Sequence, residues 1–417
     1  MTGPGGQLPQ HVVVKGPHGA KALRLVRLRG EPGEEYSLRV LHVINRFSQA
    51  GAETSLRELL SSTANHIEHG LVVLHADGND LRVATEHGIE VFVPSSALSW
   101  RGRVAHVHGA IRRFAPELVH TTLFEADTAG RVAAHREGTP ALTSLVNTPY
   151  APGAIGARTA STWRYHATKA IDRTLSRRYT THFHAISKAV AAEYVREFGL
   201  EEADVTVVPR GRSRERLGKP SADRRRRVRM KLNVPDEARV ILTLGRQEPQ
   251  KGHRHLLDAV AALPACDADV VVLFAGRQGA SSGLLQRIRH ERGLDPRKVR
   301  FLGFREDVGD LLAVADVFAF PSIYEGLGGS LLEAMAMDVP VVASDVPAIR
   351  EVLADGSCGL LVPPADPVAI SSAIHRLLSD DQLRDELVSA ARERFESTYT
   401  VSKMIAGMTD LYTRLLR

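Results

Sequence analysis

A chain of 417 residues, 43% of them hydrophobic, has the length for two or three domains and enough apolar content for their cores. Its formal net charge is +6 and its sequence pI about 9.4, but no nucleic-acid motif accompanies the surplus of arginine over lysine, which fits a coding sequence rich in G and C. No run of about 18 apolar residues is present to span a membrane, and the first residues lack the apolar segment of a secretory signal. The two cysteines, Cys266 and Cys358, are too few for a disulfide framework or a cysteine metal cage. They read as small buried apolar residues in a reducing, cytoplasmic compartment.

Residues 1–37 are rich in Gly, Pro and basic side chains and read as a flexible extension, with 11–15 (HVVVK) an apolar run that nothing nearby pairs with. The first strand is expected at 40–44 (VLHVI). A loop over 45–52 leads to a helix starting near Glu53, so Gly51 marks a strand-to-helix junction that suits an anion, a weak signal with one glycine alone. Further strands are expected at 71–75, 89–93, 118–121, 141–146 and 182–186, with helical stretches between most of them. That alternation predicts an α/β chain with a doubly wound parallel sheet.

Glu125, Asp127 and the loop Asn147-Thr148-Pro149-Tyr150 follow strand ends, which makes them candidates to face a cleft; ordinary turn chemistry is the plainer reading. Asn147 and Tyr150 are candidate acceptor contacts. The stretch 161–178 reads as a helix with Trp163, Ala167, Ala170, Ile171 and Leu175 on one face, and Arg164, Lys169, Arg173, Arg177 and Arg178 elsewhere. A basic amphipathic helix suits an anionic membrane surface, but packing of the apolar stripe against the sheet is the expectation. The first domain is expected to cover 38–214, closing after 205–211 (VTVVPRG). Residues 215–236 read as a linker whose arginine run, 224–227 with Arg229 and Lys231, forms a solvated helix.

The second domain, 237–396, opens with a strand at 240–244. The loop from Gly245 to Gly252 carries Arg246 and Lys251. Two cations on a loop at a strand's carboxyl end suit a diphosphate, arginine forking onto two oxygens and lysine acting as a point charge. Strands at 270–274 and 299–303 lead to Gly276 and to Phe304 and Arg305. Asp267-Ala268-Asp269 has the spacing of a metal-binding pair but precedes a strand, away from the ligand end of the sheet, so no metal site is assigned there.

Residues 318–345 read as strand, glycine-rich turn, helix and strand. The turn holds Gly326, Gly328 and Gly329 beside Ser330, with Glu325 and Glu333 on either side. Glycines at such a junction let backbone N–H groups approach an anion. Two carboxylates oppose phosphate there, yet they suit the vicinal hydroxyls of a sugar. Ser330-Leu331-Leu332-Glu333 also fits a capping box, and Glu325 also fits a solvated loop residue. A last strand at 360–363 precedes helices at 367–378, 381–395 and 401–416, the last with Met404, Met408, Leu411 and Leu415 at helical spacing.

Glu325 and Glu333 resemble the E-x7-E signature of retaining glycosyltransferases of the GT-B fold, family four. PSIYEG, LLEAMA, PVVASD and DGSCGLLVPP resemble that family's donor-domain blocks in the family's order, over 237–396, with a weaker likeness over 38–214. The resemblance implies two Rossmann-like doubly wound domains facing across a cleft. The first would take the acceptor, a hydroxyl of a glycan, lipid-linked or small molecule; the second would take a nucleotide-diphosphate sugar. Transfer would retain the anomeric configuration and need no metal or other cofactor. Arg246, Lys251 and Glu325 match the family's catalytic positions. Gly51, Gly245, Gly276, Gly328, Gly329, Ser330 and Glu333 match its nucleotide-binding ones, and Phe304 and Arg305 lie where relatives place the base. The segment 397–417 would cross back onto the first domain.

Two departures stand out. Relatives show HTHLF where this chain has His120-Thr121-Thr122-Leu123-Phe124, so Thr122 replaces a histidine that faces the donor sugar. Arg210 replaces the asparagine of a Pro-Asn-Gly-like turn. Thr122 favours the rival reading of a degenerate glycosyltransferase serving as a binding or activating subunit; the intact Arg246, Lys251, Glu325 and Glu333 oppose it. A sugar-nucleotide epimerase would need carboxylates and histidines aimed at the sugar ring, and no matching set is found. A position peripheral to the inner face of the membrane is the alternative to a freely cytoplasmic one.

Overall fold

The computed structural model describes residues 38–48, 51–63, 66–150, 162–264 and 269–416. The expected extension 1–37, Cys266 and Asp267 lie outside the described residues. Strands β1 (Leu38–Ile44), β2 (Ile67–Val73), β3 (Glu90–Phe92), β4 (Leu118–Thr122), β5 (Ala141–Leu145), β6 (His182–Ala185) and β7 (Val205–Val207) form one parallel sheet in the order β3-β2-β1-β4-β5-β6-β7. A second parallel sheet has the order β10-β9-β8-β11-β12-β13, from β8 (Arg239–Leu244), β9 (Val270–Ala275), β10 (Val299–Gly303), β11 (Val317–Phe320), β12 (Val341–Ser344) and β13 (Leu360–Val362). Apolar runs such as VILTL and VVVLF form central strands because helices cover both faces of such a sheet. Strand β2 begins earlier than its apolar run. His69 near its start is buried with both ring nitrogens engaged, by His42 at 3.1 Å and Thr63 at 2.7 Å, so a polar residue joins the interior.

The helices around the site and the crossovers are α1 (Gly51–Thr63), α2 (Phe124–Glu137), α3 (Thr162–Tyr179), α4 (Lys188–Phe198), α5 (Arg214–Leu217), α6 (Ala222–Lys231), α7 (Val308–Val314), α8 (Gly329–Ala336), α9 (Pro347–Val352) and α10 (Val401–Leu416). In each sheet the strand order reverses once, between β1 and β4 and between β8 and β11. Those reversals leave crevices at the carboxyl ends, where ligands of doubly wound sheets bind. One continuous cluster of buried apolar residues includes Leu145 and Phe183 of the first domain and Leu327 and Val346 of the second. Helix α10 buries Met404, Met408, Leu411 and Tyr412 against Val40, Leu118 and Leu142, so the chain ends on the first sheet.

Two expectations are corrected here. The stretch 215–236 is solvated only in part: α6 exposes Arg226, Arg227 and Lys231 but is docked on the second domain by its other face. Arg224 pairs with Asp310 at 2.7 Å, Arg225 with Asp316 at 2.8 Å, and Val228 and Arg229 are buried. The apolar stripe of α3 does not face the sheet. Trp163 is 68% exposed and Ile171 53%, while Tyr165, Asp172 and Ser176 form the buried face. The cause is Arg131 of α2, fully buried and paired with Asp172 at 2.8 Å. A buried guanidinium without its carboxylate is far costlier than exposed apolar area, so α3 turns Asp172 inward and its apolar stripe outward.

Candidate active site

Four loops at the carboxyl ends of β1, β4, β8 and β11 meet at the two crevices. After β8, Gly245 leads to the exposed Arg246 and a short 3-10 turn, Pro249–Lys251. Lys251 ends that turn with its ammonium paired to Glu325 Oε1 and 5.5 Å from the centre of the Phe320 ring. Ser322 Oγ donates to the same oxygen at 3.0 Å. Glu325 is therefore a buried, doubly held carboxylate, not the solvated loop residue of the plainer reading. Gly252 has φ +62°, and a Cβ there would overlap the Pro321 carbonyl, so the β8 and β11 loops interlock at backbone level. Gly276 has a similar constraint, its Cβ position being filled by the Gly245 carbonyl oxygen.

After β11, Gly328 (φ +89°) enters α8, and the first helical residue is Gly329. Ser330 Oγ donates to the Leu244 carbonyl at 3.2 Å and makes no cap, so the capping-box reading of Glu333 is excluded. Glu333 instead accepts from Arg212 Nε at 3.1 Å. Burial pushes its carboxyl up from the ordinary glutamate range, and the Arg212 charge opposes that rise. Sequence reasoning missed Arg212, which sits 121 positions away and belongs to no motif.

The first domain meets this loop directly. Thr148 Oγ1 donates to the Glu325 carbonyl at 3.3 Å, and Ser187 Oγ to the Gly326 carbonyl at 2.7 Å. A side chain on Gly326 would press on the Val146 carbonyl, which explains a glycine there. Asn147 is half-buried beside this contact, its Oδ1 accepting from Thr148 N at 2.9 Å. Tyr150, a candidate acceptor contact, is corrected. It is 5% exposed in the core, donates to Asp172 at 2.8 Å and packs on Tyr165, Tyr194 and Phe198. Asp127 is likewise turned inward; burial, opposed by Arg131, pushes it up to about 7. Glu125 stays at the surface with His75 at 2.8 Å and Arg103 at 3.4 Å.

Thr122 ends β4 half-buried, followed by Leu123 at φ 80°, a backbone region that non-glycine residues seldom occupy. His120 is satisfied below it, its ring nitrogens engaging Tyr412 Oη and Ser144 Oγ at 2.7 Å each. Gly51 opens α1 with nothing within 4 Å of its Cβ position. Glu53 in the same first turn is buried, and its carboxyl, raised by that burial, feels Arg210 and Arg246 as opposing charges. At the far rim Phe304 is 43% exposed under the Arg277 guanidinium at 4.5 Å, while Arg305 is clamped to Asp307 at 2.7 and 2.5 Å. Among the described residues, no group of three His, Cys, Asp or Glu side chains is arranged to hold a metal ion. Lys251, Glu325, Gly328, Gly329, Ser330 and Glu333 thus share one crevice, with Gly245 and Arg246 on its β8 side. Phe304 and Arg305 lie farther along the sheet, and Gly51 and Thr122 belong to the first domain's carboxyl edge.

Comparison with known proteins identifies the family and the fold. The family model described as glycosyl transferases group 1 matches residues 224–394, and that of glycosyltransferase family 4 matches residues 50–216. The chain is 30% identical over 344 residues to a phosphatidyl-myo-inositol mannosyltransferase of Mycobacterium leprae, covering 79% of this chain and 87% of that one. It is 34% identical over 237 residues to a D-inositol 3-phosphate glycosyltransferase of Corynebacterium urealyticum, covering 54% of this chain and 55% of that protein. Among solved structures, Anabaena Alr3699/HepE in complex with UDP-glucose superposes with a TM-score of 0.79 at 22% identity, over 90% of this chain and 100% of that one. The two wound sheets are accordingly the α/β GT-B fold, and the chain belongs to the group 1, family 4 glycosyltransferases.

Proposed function

We propose that this glycosyltransferase takes a nucleotide-diphosphate sugar in the β8–β11 crevice and transfers the sugar, with retention, to an acceptor hydroxyl held by the first domain. The observation that carries this reading is the convergence of Arg246, Lys251, Glu325 and Glu333 on two adjacent strand ends. Solved structures of the same fold are described with UDP and with UDP-glucose, which supports a donor of this class. Arg246, Lys251 and the amino end of α8 stabilise the charge that grows on the departing diphosphate. That is the work a metal does in other phosphate-leaving sites, so transfer is proposed to be metal-independent.

Retention by double displacement requires a carboxylate nucleophile close to a second carboxyl group. Glu325 is paired with Lys251 and Glu333 with Arg212, so both act as fixed acceptors of hydroxyl hydrogen bonds. A same-face displacement fits better. The bond from the anomeric carbon to the diphosphate oxygen breaks, the acceptor oxygen bonds to that carbon from the same side, and the acceptor's proton passes to the departing phosphate. The test is release of nucleoside diphosphate from a panel of donors with chelator present. Release shows an active transferase; binding without release in every acceptor mixture would support a binding subunit. Activity lost on chelation and restored by manganese would overturn metal independence.

The relatives' names point to an inositol acceptor bearing phosphate, the first class to test. A lipid-linked acceptor at a membrane surface is supported by the outward face of α3, where Trp163, Ala167, Ala170 and Ile171 stand beside Arg177 and Arg178. No helix among the described residues is long and apolar enough to cross a membrane. Cofloatation with anionic but not zwitterionic vesicles, lost in Trp163→Ala/Ile171→Ser, is the expected result. Equal behaviour of the two proteins would remove the membrane from this reading.

A further inference from the structure

Arg212 stands where the chain crosses from the first domain to the second. Its backbone N–H donates to the Tyr399 carbonyl at 2.9 Å, and it bridges to Thr400 on the return crossing. Its side chain is 6% exposed, and its guanidinium touches both domains. Nη1 donates to Ser55 Oγ of α1 at 3.1 Å and to the Gly211 carbonyl at 2.9 Å, while Nε donates to Glu333 Oε1 at 3.1 Å. The same group fills the space that a side chain on Gly329 would need. A cation held over the amino end of a helix works against the helix dipole. A simple structural ion pair has little reason to be built there, whereas a site awaiting an anionic donor does.

We propose that Arg212 is a positioning residue for the donor: it fixes the Glu333 carboxylate toward the donor ribose and, through Ser55, ties that carboxylate to helix α1. This rests on the donor reading above. With Oε1 engaged by Arg212, Oε2 makes no hydrogen bond among the described residues, and a carboxylate has acceptor capacity to spare for hydroxyls. The bond also ties the donor crevice to α1, whose amino end carries Gly51 on the opposite wall. Loss of the bond would release the carboxylate and uncouple the two walls.

Electrostatics adds a distinctive readout. The charged groups facing Glu333 are Arg212 from the crossover and, more weakly, Arg216 from α5, itself paired with Glu58 at 2.5 Å. Burial raises the Glu333 carboxyl, and Arg212 is the main influence lowering it. Without Arg212 the carboxyl rises further. The ionised form, which accepts the ribose hydroxyls, is then lost at a higher pH as the solution is acidified.

The experiment measures UDP and GDP dissociation constants for the full chain across pH 5.5 to 8.5. The proteins are wild type, Arg212→Met, Arg212→Lys, Glu333→Gln and the Arg212→Met/Glu333→Gln double variant, each checked for folding by its melting curve. Arg212→Met is expected to weaken binding roughly tenfold or more at the acid end, the scale of one charge-assisted hydrogen bond. The loss should shrink as pH rises, and Arg212→Lys should recover part of it. In the Glu333→Gln background Arg212→Met should add little. Wild-type affinity in Arg212→Met at every pH overturns the proposal. So does an equal loss in both backgrounds, which would place Arg212 on the diphosphate itself. Should Arg212→Met not fold, Arg212→Lys completes the same cycle. A wild type that binds neither of these, nor ADP, CDP or dTDP, overturns the donor reading instead.

Discussion

The two domains share one winding rule but fill their interiors differently. In the second, central strands β8, β9 and β11 are almost wholly apolar, and the polar residues that matter stand on the loops at their carboxyl ends. In the first, a polar row runs through the sheet itself. His69 bonds His42, while His120 bonds Tyr412 and Ser144, and Ser144 bonds His184, which reaches the Val208 carbonyl. A donor of fixed chemistry needs fixed loops on a rigid apolar base. The first domain instead spends buried polarity on holding α10, the helix that returns from the other domain. The two departures from the family pattern, Thr122 and Arg210, both lie on this side, and Arg212 stands at the crossover.

Acid should break the first domain's interior most severely. Burial lowers His69 and His184 to about 4, and His42 and His120 well below their ordinary value. A base whose folded pKa is depressed contributes stability that is complete above the unfolded value of about 6.5 and is lost as pH falls toward the folded value. Each such histidine therefore costs about 1.4 kcal/mol per pH unit across that window. Asp127, raised to about 7, works in the opposite direction: its contribution is complete below the unfolded value and is lost as pH rises through about 7. It offsets about one of the four histidines. The unfolding free energy should fall steeply between about pH 6.5 and 4, and a flat profile would show that these rings keep access to water.

In the second domain the largest expected effect is catalytic. Lys251→Ala removes a preorganised cation and leaves Glu325 buried without its partner. Turnover should fall by about 10²-fold or more. A folded Lys251→Ala enzyme with near-normal turnover would separate Lys251 from the leaving diphosphate.

Next comes Glu333→Gln, which keeps shape and removes charge. Donor affinity should fall roughly ten- to a hundredfold, since a hydrogen bond to a charged group contributes about 1.5–3 kcal/mol. Unchanged affinity would mean that Glu333 serves only Arg212. The smallest effect is expected on the contact between α10 and the first sheet. Tyr412→Phe removes the hydroxyl from His120 Nδ1 and should cost about 1–3 kcal/mol of stability. Donor affinity should not change, because the His120 ring lies beneath the site.

The sequence by itself determined what local chemistry can determine. Runs of β-branched residues marked the strands, and alternation with helices marked two wound sheets. Gly326, Gly328 and Gly329 marked a turn that side chains would block, and Arg246 and Lys251 marked a loop suited to phosphate. These depend on neighbours in the chain, so they are legible there. The tertiary structure decided which partners the charges took. Ser330-x-x-Glu333 has the spacing of a capping box, but α8 starts at Gly329, the Leu244 carbonyl captures the serine hydroxyl, and Arg212 captures the carboxylate. Trp163 and Ile171 have the spacing of a buried stripe, but Arg131 required Asp172 on the inside and turned the helix over. In both cases a buried charge overrode a weaker local preference, because an unpaired charge in the interior costs several kcal/mol and a cap or an exposed apolar side chain only about one to three.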